Sequence, residues 1–406
     1  MVPKGWSQKL ISDVGAVVTG NTPPTSNPEY YNGKYPFVSP ADLGAHKLIN
    51  SSIKSLSSQG MEKARSVRAG ATLFTCIGST IGKIGLAGCT LATNQQINVV
   101  IPKPDYDDDY VYYQLELRAA YIAKLAGTQA VPIINKTTFE SQCILVPDSL
   151  PEQNKIAKIL STWDKAISTT EQLLANSQQQ KKSLMQQLLT GKKRLLDNNE
   201  VRFVGEWKYV VLGCVFEKIS NGVTYDAKSL SGLPVTRIET ISTGEIDFKK
   251  VGWAPDSENT KRFKLEIGDI LYSHINSLEH IGRVAYFNDN RSLYHGMNLL
   301  LLRTKKQNNS LFFYHLLNSQ VGKKYAKLYA KSAVNQASIS TTDIKAFKVY
   351  IPESEEQQKI ATVLSTADQE IASLQQKLDA LKLEKKALMQ QLLTGKRRVK
   401  IDLMVL

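Results

Sequence analysis

Residues Ile156 to Leu195 align without a gap on Ile360 to Val399, at a constant offset of 204 positions and with about half the residues identical. The stretch LMQQLLTGK at 184–192 recurs unchanged at 388–396. A repeat of this period constrains architecture more than any local pattern, because both copies must fold alike. Each copy carries helix punctuation. Pro151-Glu152 and Pro352-Glu353 supply a first-turn proline and acid, while Gly191 and Gly395 stand where a left-handed C-terminal cap belongs, each followed by a basic triplet.

Between those ends the apolar residues are spaced alternately four and three apart. In the second copy Ile360, Leu364, Ala367, Ile371, Leu374 and Leu378 lead to Leu381, Lys385, Leu388 and Leu392. In the first, Ile156, Leu160, Trp163, Ile167, Thr170 and Leu174 lead to Ser177, Lys181, Leu184 and Leu188, with a weaker middle. This is a coiled-coil seam broken by lysine at the same register in both copies. A helix over 152–190 is about 58 Å long at ~1.5 Å per residue. It cannot bury its stripe alone, and its nearest complementary surface is the other copy.

The segments before each helix share landmarks rather than sequence. Gly5-Trp6 and Gly205-Glu206-Trp207 open them; Pro36-Phe37-Val38 and Pro234-Val235-Thr236 read as strands entering polar loops. Strands follow at 69–74 and 267–272. Then come Ile81-Gly82-Lys83 and Ile281-Gly282-Arg283, where a glycine beside a cation suits close approach of backbone to a ligand. Thr93-Asn94-Gln95-Gln96 and His295-Gly296-Met297-Asn298 lead into further strands, and helices are expected near 109–125 and 310–330. The expected organisation is a first globular domain (1–150), a long helix (151–196), a second globular domain (197–351), a second long helix (352–399) and a tail (400–406).

The chain has 406 residues, enough for two or three domains, and a formal net charge of +14. Such a balance points to a polyanionic partner. The excess is concentrated at 151–196, with 8 basic against 3 acidic residues, and at 197–351, with 21 against 15. Four cysteines without CxxC spacing suggest neither a zinc site nor a disulfide framework, so a reducing cytoplasm is expected. No apolar signal core opens the sequence and no run of about 18 apolar residues occurs.

Catalytic signatures are missing. Gly78-Ser79-Thr80-Ile81-Gly82-Lys83 is one residue too short for a phosphate loop, with Ile84 where a magnesium-ligating Ser or Thr belongs. Asn21-Thr22-Pro23-Pro24-Thr25 departs from the Asn-Pro-Pro-aromatic motif of adenine methyltransferases at both Thr22 and Thr25, and reads as a turn. Pro255-Asp256 has no Glu-x-Lys beyond it to complete a nuclease site, and the five histidines form no metal-binding pattern.

The doubled order of globular segment and helix, with EQNKIA (152–157) and EQQKIA (356–361) opening helices that end LLTGK, resembles the specificity subunit of type I restriction-modification enzymes over essentially the whole chain. The resemblance implies an α+β fold: two pseudo-two-fold-related α/β target-recognition domains separated by two long antiparallel coiled-coil helices. It implies that each domain reads one half of a split, asymmetric site in double-stranded DNA. Two methyltransferase (M) subunits would dock around the helices, and two restriction (R) subunits would complete the enzyme in a prokaryotic cytoplasm. S-adenosylmethionine, ATP and Mg would then belong to the partners, with no cofactor on this chain and no membrane.

Base-edge reading uses Arg or Lys for guanine and Asn or Gln for adenine, on loops between strands. That chemistry nominates Ser79, Thr80, Lys83, Asn94, Gln95 and Gln96 in the first domain. In the second it nominates Arg237, His274, Asn276, Arg283, His295 and Asn298. Arg65, Arg68, Lys261, Arg262, Lys323 and Lys324 read as phosphate contacts. The alternatives are an enzyme acting alone on DNA, or a coiled-coil scaffold carrying two protein-binding modules.

Overall fold

The computed structural model describes residues 2–127, 131–228, 231–333 and 336–401. The chain divides into two compact units, one formed by 1–171 with 376–406 and the other by 172–375. Each long helix, Leu150–Leu188 and Ser354–Leu392, therefore contributes one half to each unit.

In the first unit, Trp6–Leu10 pairs antiparallel with Cys143–Pro147, from Trp6 opposite Pro147 to Leu10 opposite Cys143. This clasp closes the globular segment just ahead of the long helix. The main sheet has five strands, in the order Gly15–Thr19, Ile97–Pro102, Thr72–Thr75, Ile84–Ala87 and Leu48–Ile49. Alternate side chains of its strand Ile97–Pro102 enter opposite cores, as the period of two requires. Val100 joins Phe74, Tyr110 and Tyr113, whereas Ile97 and Val99 join Val38, Leu43 and Leu73. The helix Asp108–Ala123 covers the first of these faces; Asp107 caps it by accepting from Tyr110 N.

The second unit repeats the scheme. Lys208–Val211 pairs with Lys348–Ile351. A four-stranded antiparallel sheet runs Phe216–Asn221, Leu300–Thr304, Ile270–Tyr272 and Val284–Tyr286. Leu300 and Leu302 face one core, Leu299 and Leu301 the other. Instead of one helix over 310–330 there are two, Ser310–Asn318 and Gln320–Tyr329. Ser319 is extended between them, and its hydroxyl caps the second by accepting from Val321 N while donating to Leu316 O. Gly322 lets the new helix start there, since a Cβ at that position would collide with Leu317 O.

The seam residues are buried toward the helix ends, whereas Trp163, Ile167, Ile371, Leu374 and Leu381 along the middle are half-buried. Ile156, Leu160 and Leu392 close the first unit, and Leu188, Ile360 and Leu364 close the second. Within the first unit Glu171 meets Lys382, Asp164 meets Lys385 and Glu152 meets Arg398, so partners move forward on one helix as they move back on the other. Ser177–Glu370, Lys181–Asp368 and Arg194–Glu356 show the same antiparallel order within the second. Both helices have 39 residues. Their starts differ from the expected symmetry: Pro151 lies in the first turn of its helix, whereas Pro352 precedes the second, which begins at Ser354 after the strand ending at Ile351.

Candidate nucleic-acid interface

The repeated motif at the helix ends has a structural task in each unit. Gly191 and Gly395 take φ of +70° and +67°, the left-handed cap. Each lies against a tryptophan, Gly191 against Trp207 and Gly395 against Trp6. The arginines that follow, Arg194 and Arg398, reach the nearly buried carboxylates of Glu356 and Glu152 at 2.6 Å, and both guanidiniums stand 5.9 Å from the same tryptophan rings. Gln153 accepts from Asp107 N, and Gln357 accepts from Asn309 N, so the helix start also holds the cap of the domain helix.

The polar loops gather at the sheet ends. In the first unit, Cys76 N donates to Gln96 O, bringing the 77–83 turn beside the 94–96 loop. Asn94 Nδ2 donates to Gln96 Oε1 at 2.9 Å. Exposed Gln95 accepts from Thr22 Oγ1 at 2.7 Å, which engages its carbonyl and leaves its amide N–H groups to donate elsewhere. Ser79 is exposed and Thr80 half-buried on the neighbouring turn, while Lys83 leans back with Nζ 3.4 Å from Pro40 O. Arg65 joins this surface: its Nη1 donates to Thr19 O, and its backbone N–H to Asn21 Oδ1.

Asn21 and Thr22 therefore belong to the loop surface, a placement that sequence patterning does not supply. The signal for it is the polar Asn-Thr ahead of two prolines, which by itself says only turn. Gly20 makes the approach possible, since a Cβ there would collide with Asn94 O.

In the second unit, Asn298 Nδ2 donates to Tyr225 Oη at 2.9 Å, and Asn276 bonds Ser273 Oγ at 3.1 Å, both half-buried. Arg237 pairs with Glu239 at 3.1 Å. Arg262, Lys323 and Lys324 are exposed.

Several nominated residues serve the fold instead. His295 is fully buried with Nε2 3.0 Å from Leu299 O, and His274 is 6% exposed. Burial pushes both imidazoles down to about 4, so they are neutral core residues and reach no base. Arg68 is spent on Asp108 through two bonds of 2.6 and 2.8 Å, which anchor the start of a helix. Arg283 donates to Ser242 O and contacts His280 Nδ1 at 3.0 Å. Lys261 pairs with Asp256 and Glu258 at 3.2 and 3.3 Å. At Gly82 and Gly282 the positive φ and missing Cβ admit the domain's own helix, with Ala119 O 3.3 Å from a Cβ built at 82 and Ala326 Cβ in collision with one built at 282.

Among the described residues no group of three or more His, Cys, Asp or Glu is placed to hold a metal ion, and no helix is long and apolar enough to cross a membrane. Two copies of one sheet-and-helix frame, each presenting its own polar loops and each tied to a long helix, define a doubled recognition module. The type I restriction modification DNA specificity domain matches the chain twice, over residues 3–176 and 205–383. The chain belongs to that family and is a type I restriction-modification specificity subunit.

It is 26% identical to the MjaVIII type I restriction enzyme specificity subunit of Methanocaldococcus jannaschii, over 98% of this chain and 94% of that one. A protein of the same organism named for the MjaX specificity subunit is 42% identical, over 47% of this chain and 46% of its own length. The HindI specificity subunit of Haemophilus influenzae is 30% identical over 42% of this chain and 38% of its own. Against the solved S subunit of a type I restriction-modification system from M. genitalium the TM-score is 0.62 at 16% identity, covering 97% of this chain and 96% of that one. That likeness concerns the fold.

Proposed function

We propose that each globular domain reads one half of a bipartite, asymmetric site in double-stranded DNA, and that the paired helices set the half-site separation. The observation that carries this is the contrast between frame and loops. Trp6 and Trp207, Glu152 and Glu356, Gln153 and Gln357 repeat contact for contact, while Asn94-Gln95-Gln96 forms the loop surface in one unit and Tyr225–Asn298 occupies the related place in the other. A shared scaffold with different donors and acceptors suits two different base sequences. In the first domain Ser79, Thr80, Asn94, Gln95 and Gln96 are the proposed base readers, with Asn276 and Asn298 in the second. Arg65, Arg262, Lys323 and Lys324 are proposed to contact phosphate.

On this reading the chain recognises DNA and performs no chemistry itself. Two methyltransferase subunits dock on the helices and two restriction subunits join them; S-adenosylmethionine, ATP and Mg are bound by those partners, in a prokaryotic cytoplasm. The test is to co-express the chain with its methyltransferase subunit and map methylated adenines across a genome. A bipartite site is expected, and replacing 93–96 by another loop should change one half-site only. A continuous site, or both halves changing together, overturns the reading.

A further inference from the structure

In the second unit a cleft of about 740 Å³ runs between the end of the first long helix and the start of the helix Gln320–Tyr329. Lys181, Lys182, Lys192 and Lys323 line it, together with the amides of Gln178, Gln186 and Asn318, and among the described residues no carboxylate does. It continues into a second cleft that shares Lys181 and Lys323 and adds Lys324, Lys327 and Arg283, with Glu245, Glu279 and Asp368 as its acids. Asp368 is already paired with Lys181. Among the described residues Lys182, Lys192, Lys323, Lys324 and Lys327 form no ion pair, and all five are exposed.

The first unit carries the same helix strip but an opposing wall of another kind. Lys385, Lys386, Thr394 and Lys396 match Lys181, Lys182, Thr190 and Lys192 at the offset of 204. The helix caps Asp107 and Asn309, and the contacts of Ala123 with Gly82 and of Ala326 with Gly282, align Glu116 with Asn318, and Ala120 and Tyr121 with Lys323 and Lys324. The first-unit counterpart of the second of these clefts, related through Lys385 to Lys181, Asp164 to Asp368 and Tyr112 to Tyr314, is lined by Asp109, Glu116, Asp164 and Glu171 against Lys47, Lys165 and Lys385. Lys47 is bound to Asp109, and Lys385 to Asp164 and Glu116, so most of the charge of this cleft is paired. Among the described residues Lys386 and Lys396 are exposed and form no ion pair, like Lys182 and Lys192, so the two units differ in the opposing wall, where only the second adds Lys323 and Lys324.

We propose that the lysine-lined cleft of the second unit grips the phosphate backbone of duplex DNA, so that the two units hold DNA unequally and the second supplies most of the electrostatic contact. Unpaired ammonium groups release counterions when they meet phosphates, whereas paired ones have little to release. Neutral amide donors add hydrogen bonds to phosphate oxygen without the repulsion a carboxylate brings. The inference rests on the reading that the chain binds duplex DNA.

The test uses the full chain and a duplex of random sequence about 40 base pairs long, several times the stretch that roughly 10 phosphate contacts occupy. Binding is followed by fluorescence anisotropy across a series of KCl concentrations. The variant K182Q/K192Q/K323Q is compared with K386Q/K396Q/K124Q, which removes the same charge from exposed sites in the first unit. At about 0.9 per phosphate contact, the slope of log affinity on log salt should fall by roughly 2 to 3 in the first variant and by less than about 1 in the second. Unchanged thermal melting shows that either variant is folded. Equal falls in both variants, or none, overturn the asymmetric grip. So does a first variant that keeps its slope but no longer co-purifies with the methyltransferase subunit, which would assign the cleft to an acidic protein segment. If the unaltered chain shows no salt-dependent binding to any duplex, the DNA reading itself fails and this inference with it.

Discussion

Arg398 meets Glu152 with two parallel bonds, Nε to Oε1 at 2.6 Å and Nη2 to Oε2 at 2.8 Å, and Arg194 meets Glu356 in the same way at the positions related by the repeat. Glu152 is 2% exposed and Arg398 45%. The two partners therefore differ in what their loss leaves behind. Arg398→Met strands a buried carboxylate and should cost the first unit about 3 kcal/mol. Glu152→Gln leaves a half-exposed guanidinium that water can solvate, and should cost about 1 kcal/mol. Denaturant unfolding, with hydrogen exchange read at 6–10 and 143–147, checks the order; equal costs would contradict it.

The lysines that break the two seams should be unequal. Lys385 Nζ lies 2.7 Å from Asp164 and 3.1 Å from Glu116, on carboxylates 22% and 29% exposed. Lys181 serves Asp368, which is 40% exposed. Lys385→Met leaves two shielded like charges together and is expected to cost roughly 2–3 kcal/mol, against about 1 kcal/mol for Lys181→Met. Exchanging Asp164 and Lys385 should recover part of the loss, which a double-mutant cycle measures.

Gly395 and Gly191 share one backbone conformation but differ in surroundings. A Cβ at 191 meets Trp207 no closer than 3.4 Å, whereas one at 395 lies 2.5 Å from Pro3 Cγ. Gly191→Ala should cost about 1 kcal/mol from the left-handed backbone alone. Gly395→Ala should cost more because Pro3 must move. Thermal melting of the two variants gives the comparison.

Acid should open the second unit first. Burial lowers His274 and His295 to about 4 and His315 to about 3, and all three lie in that unit. Their folded values are below the unfolded value near 6.5, so the stability they contribute is present above that pH and is lost as pH falls toward 4. In that window the unfolded chain binds protons that the folded one refuses, at roughly 1.4 kcal/mol per pH unit for each histidine. Hydrogen exchange between about pH 7 and 4.5, the range the titration spans, should show protection lost in 208–351 before 6–147. The reverse order would refute this.

The scaffold was legible in the sequence to the extent that it is local and repeated. Spacing alone marks Ile360 and Leu364 as seam residues, and the motif Leu-Thr-Gly-Lys marks the left-handed caps. The loop surface was less legible because its outcome depends on distant partners. Arg68 and Asp108 are 40 positions apart, and neither residue's type announces that the other will neutralise it. His295 suits a groove or a core equally by chemistry alone; only the sheet it enters decides. Gly82 and Gly282 mark a close approach, but what approaches is an alanine-bearing helix from further along the chain. The break at Ser319 rests on one serine acting as a cap inside an otherwise helical pattern.

The interleaving of the units also bears on the order in which they are completed during synthesis. Residues 172–375 are contiguous, so the ribosome delivers everything the second unit needs before 376–406 exist. The first unit emerges earlier but waits for Met389, Leu392 and Leu393, which share its core with Trp6 and Ile156. The usual vectorial order, in which the N-terminal body matures first, is thus inverted. A chain truncated after residue 375 and released from the ribosome holds every segment of the later half and an earlier half with an open core, the state in which a chaperone has most to bind.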